Sequence, residues 1–493
     1  MIEIQSYHYQ DLFYLFYFLK MTKKNNSKNT TQKKHNRSNT SHKGPGFSRR
    51  KIRIQTIRRK HPIIQGKIIE ANRDGWIVAE IYGDPFERGF AHGYLLANEL
   101  KRVKRSLKFI VNQTLKPTTF KEYMQKSKSI VNPQIIRHFP EYYQEIQGIS
   151  AGAKHAGCII STDLLVAWNA YMSLYSFFKD GESGQRCSAF IACGTATKKG
   201  DMIMAHNTHS DFITGQLSNV VLYITPAKGF PFVMQTSAGL LASTTDWFLC
   251  GSGIIGCETT ISDINYKPDF GAPYFCRIRQ AMQYGKTLDD YTKIMLENNA
   301  GDYACSWLLG DIHSNEIMLF EIGLKEHNIK RTKNGVFYGM NSAIGDKLRE
   351  RETTDTELGD LSTSSGARNF RLNYLLNDKY DGKLDIDNAK RIISDHYDVY
   401  LGKNAMNNRG ICKHSELDGS FGNKHPYSLY GCTDGKVVNT ELAKKSEFIG
   451  KFGSCCGRGF KIHEHIAKHP EYKEWEEYVD DMPVHKWTLI NKG

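Results

Sequence analysis

CSAFIAC at 187–193, DMIMAHN at 201–207, NVVLYIT at 219–225, FVMQTS at 232–237, DWFLC at 246–250 and GIIGCETTI at 253–261 are short runs of apolar, β-branched and aromatic residues. Gly/Lys and Pro/Gly turns separate them, which predicts a meander of antiparallel strands. Upstream the period changes. Gly75–Tyr82 (GWIVAEIY) predicts a strand, and Gly83-Asp84-Pro85 a turn and helix start, with Asp as N-cap and Pro in the first turn. Phe86, Phe90, Tyr94, Ala97, Leu100, Val103, Leu107 and Ile110 then recur at steps of three and four, the apolar face of one long helix. Helical pattern continues through roughly 141–178 and stops at the polar linker 179–186. Beyond the meander come helical pattern near 274–297, a strand pair over 304–323 turning at His313–Asn315, and helices near 367–377 and 386–396. Helices, then strands, then a mixture of both indicate an α+β fold with layered sheets.

The chain has 493 residues, 40% hydrophobic and 24% charged, and no run nears the roughly 18 apolar residues of a membrane-spanning helix. Its net charge of +14 is local: residues 21–60 hold 14 Lys/Arg and no acid, so residues 61–493 are almost neutral. That excludes a basic groove across the fold. Residues 1–60 are expected to be a disordered basic tail with a short apolar start, able to touch a polyanion or a membrane surface weakly through 21–60. Leu12–Leu19 has the length of a signal-peptide core but lacks a basic flank and a small-residue cleavage site. The Asn-x-Ser/Thr triplets at Asn25, Asn29, Asn36, Asn39 and Asn112 matter only if the chain is secreted. Eleven cysteines, odd in number and irregular in spacing, assign no compartment.

Cys187 sits where the polar linker meets the first strand of the meander, whereas Cys193 and Cys257 lie inside apolar runs. Position alone favours a buried structural cysteine. The order CSAFIA, GDMIMAHNTHSD, TSAGLLASTTDWFLCGSGIIGCETTI resembles the phospholipase B-like proteins, from about Gly75 to the C terminus and most closely over 187–261. That family belongs to the N-terminal-nucleophile hydrolases, with bile-salt hydrolase, penicillin V acylase and isopenicillin N acyltransferase as distant relatives. The resemblance implies an αββα sandwich of two antiparallel sheets flanked by helices over 187–493. It makes 61–186 a helical N-terminal segment, either propeptide or small chain.

It also implies self-cleavage between Arg186 and Cys187, freeing an α-amine with a reference pKa of about 7.7–8.0 that takes the thiol proton. His206 and Asn207 match the family's turn after the second strand; His209 stands where the family usually has Trp. Ser188 and Thr260 are implied as supporting hydroxyls. Asn341, in Tyr338-Gly339-Met340-Asn341, is implied as oxyanion donor, a role worth about 3–4 kcal/mol. Arg368, in Ser364-Ser365-Gly366-Ala367-Arg368, is the implied site arginine, with Arg371 as the spare. Each has an ordinary structural alternative: sheet-edge histidine, β-branched strand residue, turn asparagine, helix-face arginine.

Cys432, Cys455, Cys456, His463 and His465 gather near the C terminus, but adjacent cysteines and a His-x-His pair lack the spacing of a zinc finger or ribbon. Cys250-Gly251-Ser252-Gly253 lacks the context of a phosphate loop. The expectation is therefore no metal and no cofactor. Two functional classes stand. One is an autoprocessed cysteine hydrolase cleaving acyl ester or amide bonds of a lipid or small-molecule substrate, in a secretory or lysosome-like setting by family analogy. The other is a catalytically silent binding or packaging protein whose basic tail holds a polyanion.

Overall fold

A computed structural model describes residues 63–178, 187–243, 245–420 and 425–493. The basic tail, the Leu12–Leu19 run and Arg186 lie outside the described residues. In chain order the strands are β1 (Gly66–Arg73), β2 (Trp76–Gly83), β3 (Cys187–Gly194), β4 (Gly200–Asp211), β5 (Val220–Pro226), β6 (Phe232–Thr236), β7 (Trp247–Cys250), β8 (Ile254–Thr260) and β9 (Cys305–Asp311). They continue with β10 (Glu316–Ile322), β11 (His327–Thr332), β12 (Gly335–Gly339), β13 (Tyr397–Asp398), β14 (Lys403–Asn404), β15 (Tyr430–Asn439), β16 (Phe448–Phe452) and β17 (Thr488–Ile490).

Nine strands form one sheet in the order β1-β2-β5-β6-β7-β8-β9-β10-β11, and six form another, β12-β3-β4-β15-β16-β17. Every pair is antiparallel except β2 with β5. The sheets face each other across Val78, Ala189, Ile191, Met204, Val221, Trp247, Cys257 and Leu308, all buried. On the outer side of the nine-stranded sheet, Ala79, Ile81 and Leu222 pack on helices including Ala97–Thr114, Pro140–His155 and Tyr274–Tyr284. On the outer side of the six-stranded sheet, Phe190, Ala192 and Ala205 meet the helices Ser364–Tyr374 and Ile386–Ile393. The layers run helices, sheet, sheet, helices: the αββα sandwich. A strand buried on both faces has no polar side to show, which is why β3 reads as a nearly continuous apolar run, as does β4 up to Ala205.

Five particulars depart from the sequence reading. The expected single meander is divided: β3 and β4 lie in the six-stranded sheet and β5 to β8 in the nine-stranded one. The segment before residue 187 is not wholly helical: β1 and β2 enter the larger sheet, and β2 pairs with β5 from Ile77↔Val220 to Gly83↔Pro226. The single long helix is two, Pro85–Leu95 and Ala97–Thr114, broken at Leu96 although the apolar spacing runs through the break. Asp84 is the N-cap residue, but its side chain makes no capping bond. The region 274–297 likewise divides into Tyr274–Tyr284 and Leu288–Leu296, the second closed at its start by a Thr287–Asp290 capping box.

Candidate active site

Cys187 opens β3, 2% exposed, and pairs with Thr208 of β4. Alternation along β3 turns Cys187, with Ala189 and Ile191, towards the facing sheet, and Ser188 and Phe190 towards the helices. The backbone of Cys187 is gripped from both ends. Its N–H donates to Asn341 Oδ1 at 3.4 Å, and its carbonyl accepts from Arg368 Nη1 at 2.7 Å. Arg368 also donates to Ser188 Oγ at 3.1 Å and, through Nη2, to Asn341 Oδ1 at 2.9 Å. A guanidinium has no acceptor, so the Asn341 atom facing it must be the oxygen. That fixes the amide orientation, and Asn341 Nδ2 donates to the Thr260 carbonyl at 2.9 Å. Asn341 therefore receives the Cys187 nitrogen, and its donor end, assigned to an oxyanion by the resemblance, is spent on backbone. Its φ of 86° is left-handed, a strained setting for a non-glycine residue.

Arg368 reaches these partners from the helix Ser364–Tyr374, whose N-cap Thr363 accepts from Gly366 N. Its Nε donates to Ser364 O and Oγ. Burial lowers its pKa to about 10, which leaves it charged at neutral pH. Arg371 lies elsewhere: it makes a two-pronged pair with Asp395 and stacks over Tyr397.

The implied helpers divide into groups. Asn207 is a pin: its Oδ1 accepts from Ser188 N at 3.0 Å, and its Nδ2 donates to Ile393 O and Ile411 O, both at 2.8 Å. His206 pairs with Ala189, two rungs along from Cys187, and its Nε2 meets Glu258 O of the facing sheet at 3.0 Å. A carbonyl can only accept, so Nε2 carries the proton and Nδ1 is a bare lone pair. Burial, helped by the Lys436 charge, pushes the pKa of His206 well down and keeps it neutral. His209 turns its ring away from the thiol onto Ile411 O at 3.0 Å, but its backbone N–H reaches the Cys187 sulfur. Thr260 Oγ1 lies 2.5 Å from Tyr303 OH, which donates to Glu258 Oε1 at 2.9 Å. The proton order is thus Thr260 to Tyr303 to Glu258.

Charged groups beside the thiol escaped the sequence reading. Asp434 and Lys436, two apart on β15, both point between the sheets, fully buried, with Nζ and Oδ1 at 2.5 Å. Thr208 Oγ1 donates to Asp434 at 3.0 Å and accepts from Lys436 at 2.9 Å; Gln235 donates to the other Asp434 oxygen at 2.8 Å. Burial raises the Cys187 thiol well above its ordinary pKa, Glu258 and Asp246 add to the rise, and Lys436 opposes it. The thiol is therefore protonated at neutral pH. A charged pair at i and i+2 inside an otherwise apolar strand was the signal available in Thr433-Asp434-Gly435-Lys436-Val437.

The cysteine and histidine set weighed for a metal does not assemble. His465 Nε2 meets Tyr427 O and His463 Nδ1 meets Glu476, both away from the cysteines. The structure instead brings His396, Cys412, His414 and Cys456 together. A cleft of about 530 Å³ is lined by Leu417, Tyr427, Phe460, His465 and Met482, and Cys187 is not among its lining residues.

No family model and no curated protein sequence matches the chain. Among solved structures, a mutant of conjugated bile acid hydrolase from Clostridium perfringens aligns over 54% of this chain and 89% of its own, at 11% identity and a TM-score of 0.30. Another variant of that enzyme aligns over 55% and 83%, at 12% identity and a TM-score of 0.25.

Proposed function

We propose that the protein is a cysteine hydrolase that exposes its own nucleophile by cleaving the Arg186–Cys187 bond, then acts on acyl ester or amide bonds in the manner of phospholipase B-like proteins. One observation carries this reading: the nitrogen of Cys187, and not only its sulfur, has a built receptor in Asn341 Oδ1, oriented by Arg368.

In the first step the thiol adds to the Arg186 carbonyl carbon, the C–N bond breaks, and the thiol proton passes to the departing Cys187 nitrogen. Water then hydrolyses the thioester, leaving a carboxylate on Arg186 and a free thiol and amine on Cys187. In turnover the amine, held by Asn341, takes the thiol proton, and the thiolate attacks the substrate carbonyl. The ammonium returns the proton to the leaving alcohol or amine, and the amine activates the water that releases the acid. Neutral His206 and the ring of His209, committed to backbone carbonyls, are not needed as the base. The family name favours a lipid acyl ester; N-acyl amides fit the same chemistry.

Intact-mass measurement and a denaturing gel of purified protein test the proposal. Two fragments meeting at residues 186 and 187 are expected, with Cys187→Ala giving one full-length band and no acyl-ester hydrolysis. Active protein in which Cys187 remains joined to Arg186 refutes it.

A further inference from the structure

On the outer side of the six-stranded sheet, away from the thiol, four side chains from three separated segments converge. His396 precedes β13, Cys412 and His414 lie between β14 and β15, and Cys456 follows β16. One ligand atom from each lies within 4.8 Å of every other. His414 Nε2 stands 3.6 Å from Cys412 Sγ and 3.4 Å from Cys456 Sγ. A tetrahedral zinc ion, with Zn–S about 2.3 Å and Zn–N about 2.0–2.1 Å, places neighbouring sulfur and nitrogen ligands about 3.6 Å apart.

The surrounding groups fit as well. His414 Nδ1 lies 2.7 Å from Glu416 Oε1. A carboxylate accepts, so Nδ1 bears the proton and the Nε2 lone pair faces both sulfurs, the carboxylate–histidine arrangement that orients metal ligands. His396 Nε2 is buried and makes no hydrogen bond. Cys432 and Cys455 form a separate pair close by, their sulfurs 3.3 Å apart and set against the Asp434 carbonyl at 3.5 and 3.3 Å. Two thiols turned on one imidazole nitrogen compete for a single lone pair, whereas a cation satisfies all four groups.

We propose that His396, Cys412, His414 and Cys456 bind one structural zinc ion. On binding, the two thiols release their protons to solvent and two thiolates balance the ion's charge. Four protein ligands leave no open position, so the ion does no chemistry. What it secures is the segment 411–414. The Ile411 carbonyl accepts from Asn207 Nδ2 and His209 Nε2, and Asn207 Oδ1 in turn holds Ser188 N. The ion thereby braces the strand behind the nucleophile.

Metal analysis of the full-length protein, purified without chelator and desalted, is expected to give about one zinc per chain. Cobalt exchanged into the site should show the visible absorption of a tetrahedral ion with thiolate ligands. Cys412→Ser and Cys456→Ser should lose the metal, Cys432→Ser should keep it, and Glu416→Gln should weaken it about 10- to 100-fold. Stripping the ion should lower the melting temperature of Cys187→Ala as much as that of the native sequence, which separates this proposal from self-cleavage. Folded, zinc-free protein, a Cys412–Cys456 disulfide by mass, zinc kept by both cysteine variants, or zinc lost from Cys432→Ser each overturns it.

Discussion

Arg368 makes the site what it is. Its planar fork meets the Cys187 carbonyl, the Ser188 hydroxyl and the Asn341 oxygen at once. A lysine there keeps the charge but brings a single nitrogen that cannot hold those directions together. Arg368→Lys is therefore expected to fold, with a melting temperature lowered by the lost charge-assisted bonds, each worth about 1.5–3 kcal/mol. Self-cleavage should slow roughly 10²-fold, the scale of removing a preorganised donor. Following both bands against time while circular dichroism monitors folding checks this; wild-type cleavage by a folded variant would mean the clamp is only structural. Arg368 and Arg371 look alike in the sequence, three residues apart on one helix, and the family resemblance separated them. Nothing local marks which will meet Asp395 and which Cys187. Asn341 was legible as a candidate beside Cys187, while the orientation of its amide was not, because it follows from a guanidinium 27 positions away.

Among the elements, the helices Pro85–Leu95 and Pro140–His155 come together along glycines. A methyl group on Gly89 or Gly93 meets the backbone at Glu145 or Ile149, and one on Gly148 or Gly152 meets Phe86 or Phe90. Elsewhere in a helix Gly→Ala stabilises by about 0.8–1.0 kcal/mol. At Gly93 overpacking, costing about 1–3 kcal/mol, opposes that gain, and because the obstacle is main chain the loss should win. Gly93→Ala should lower the urea midpoint, while Gly359→Ala, with nothing within 4 Å, should leave it almost unchanged. A Gly93 variant at least as stable as the native protein would refute the close approach. Element type was readable wherever one period ran uninterrupted, as in β2 and in β5 to β8, although the strands of the expected meander divide between two sheets. The break at Leu96 was hidden because the apolar spacing crosses it. β15 was hidden because Asp434 and Lys436 interrupt its apolar pattern and neutralise each other only in three dimensions. The proposed metal-ligand set was hidden for a related reason: its members span residues 396–456 without paired spacing.

At the scale of the whole molecule, the segment ahead of the proposed cut is built into both cores. Ile77 to Gly83 pair with Val220 to Pro226, and Trp76 and Val78 enter the space between the sheets. Arg88 donates to Glu145, and Glu145 also accepts from Arg279, which stands beyond the cut in sequence. All three are buried, and breaking a buried pair costs about 3–5 kcal/mol. Releasing residues 63–178 would strand Arg279 without its carboxylate and bare the edge of β5 together with the apolar face that the helices cover. Such a surface does not stay in solution as a monomer. The two products of cleavage are thus expected to remain one particle, the first a permanent small chain and not a discarded propeptide. Size-exclusion chromatography of cleaved protein in native buffer should give a single peak containing both bands, which part only in denaturant. If the shorter chain elutes by itself while the longer remains soluble and monomeric, the larger sheet does not depend on β1 and β2, and the segment is a detachable cap.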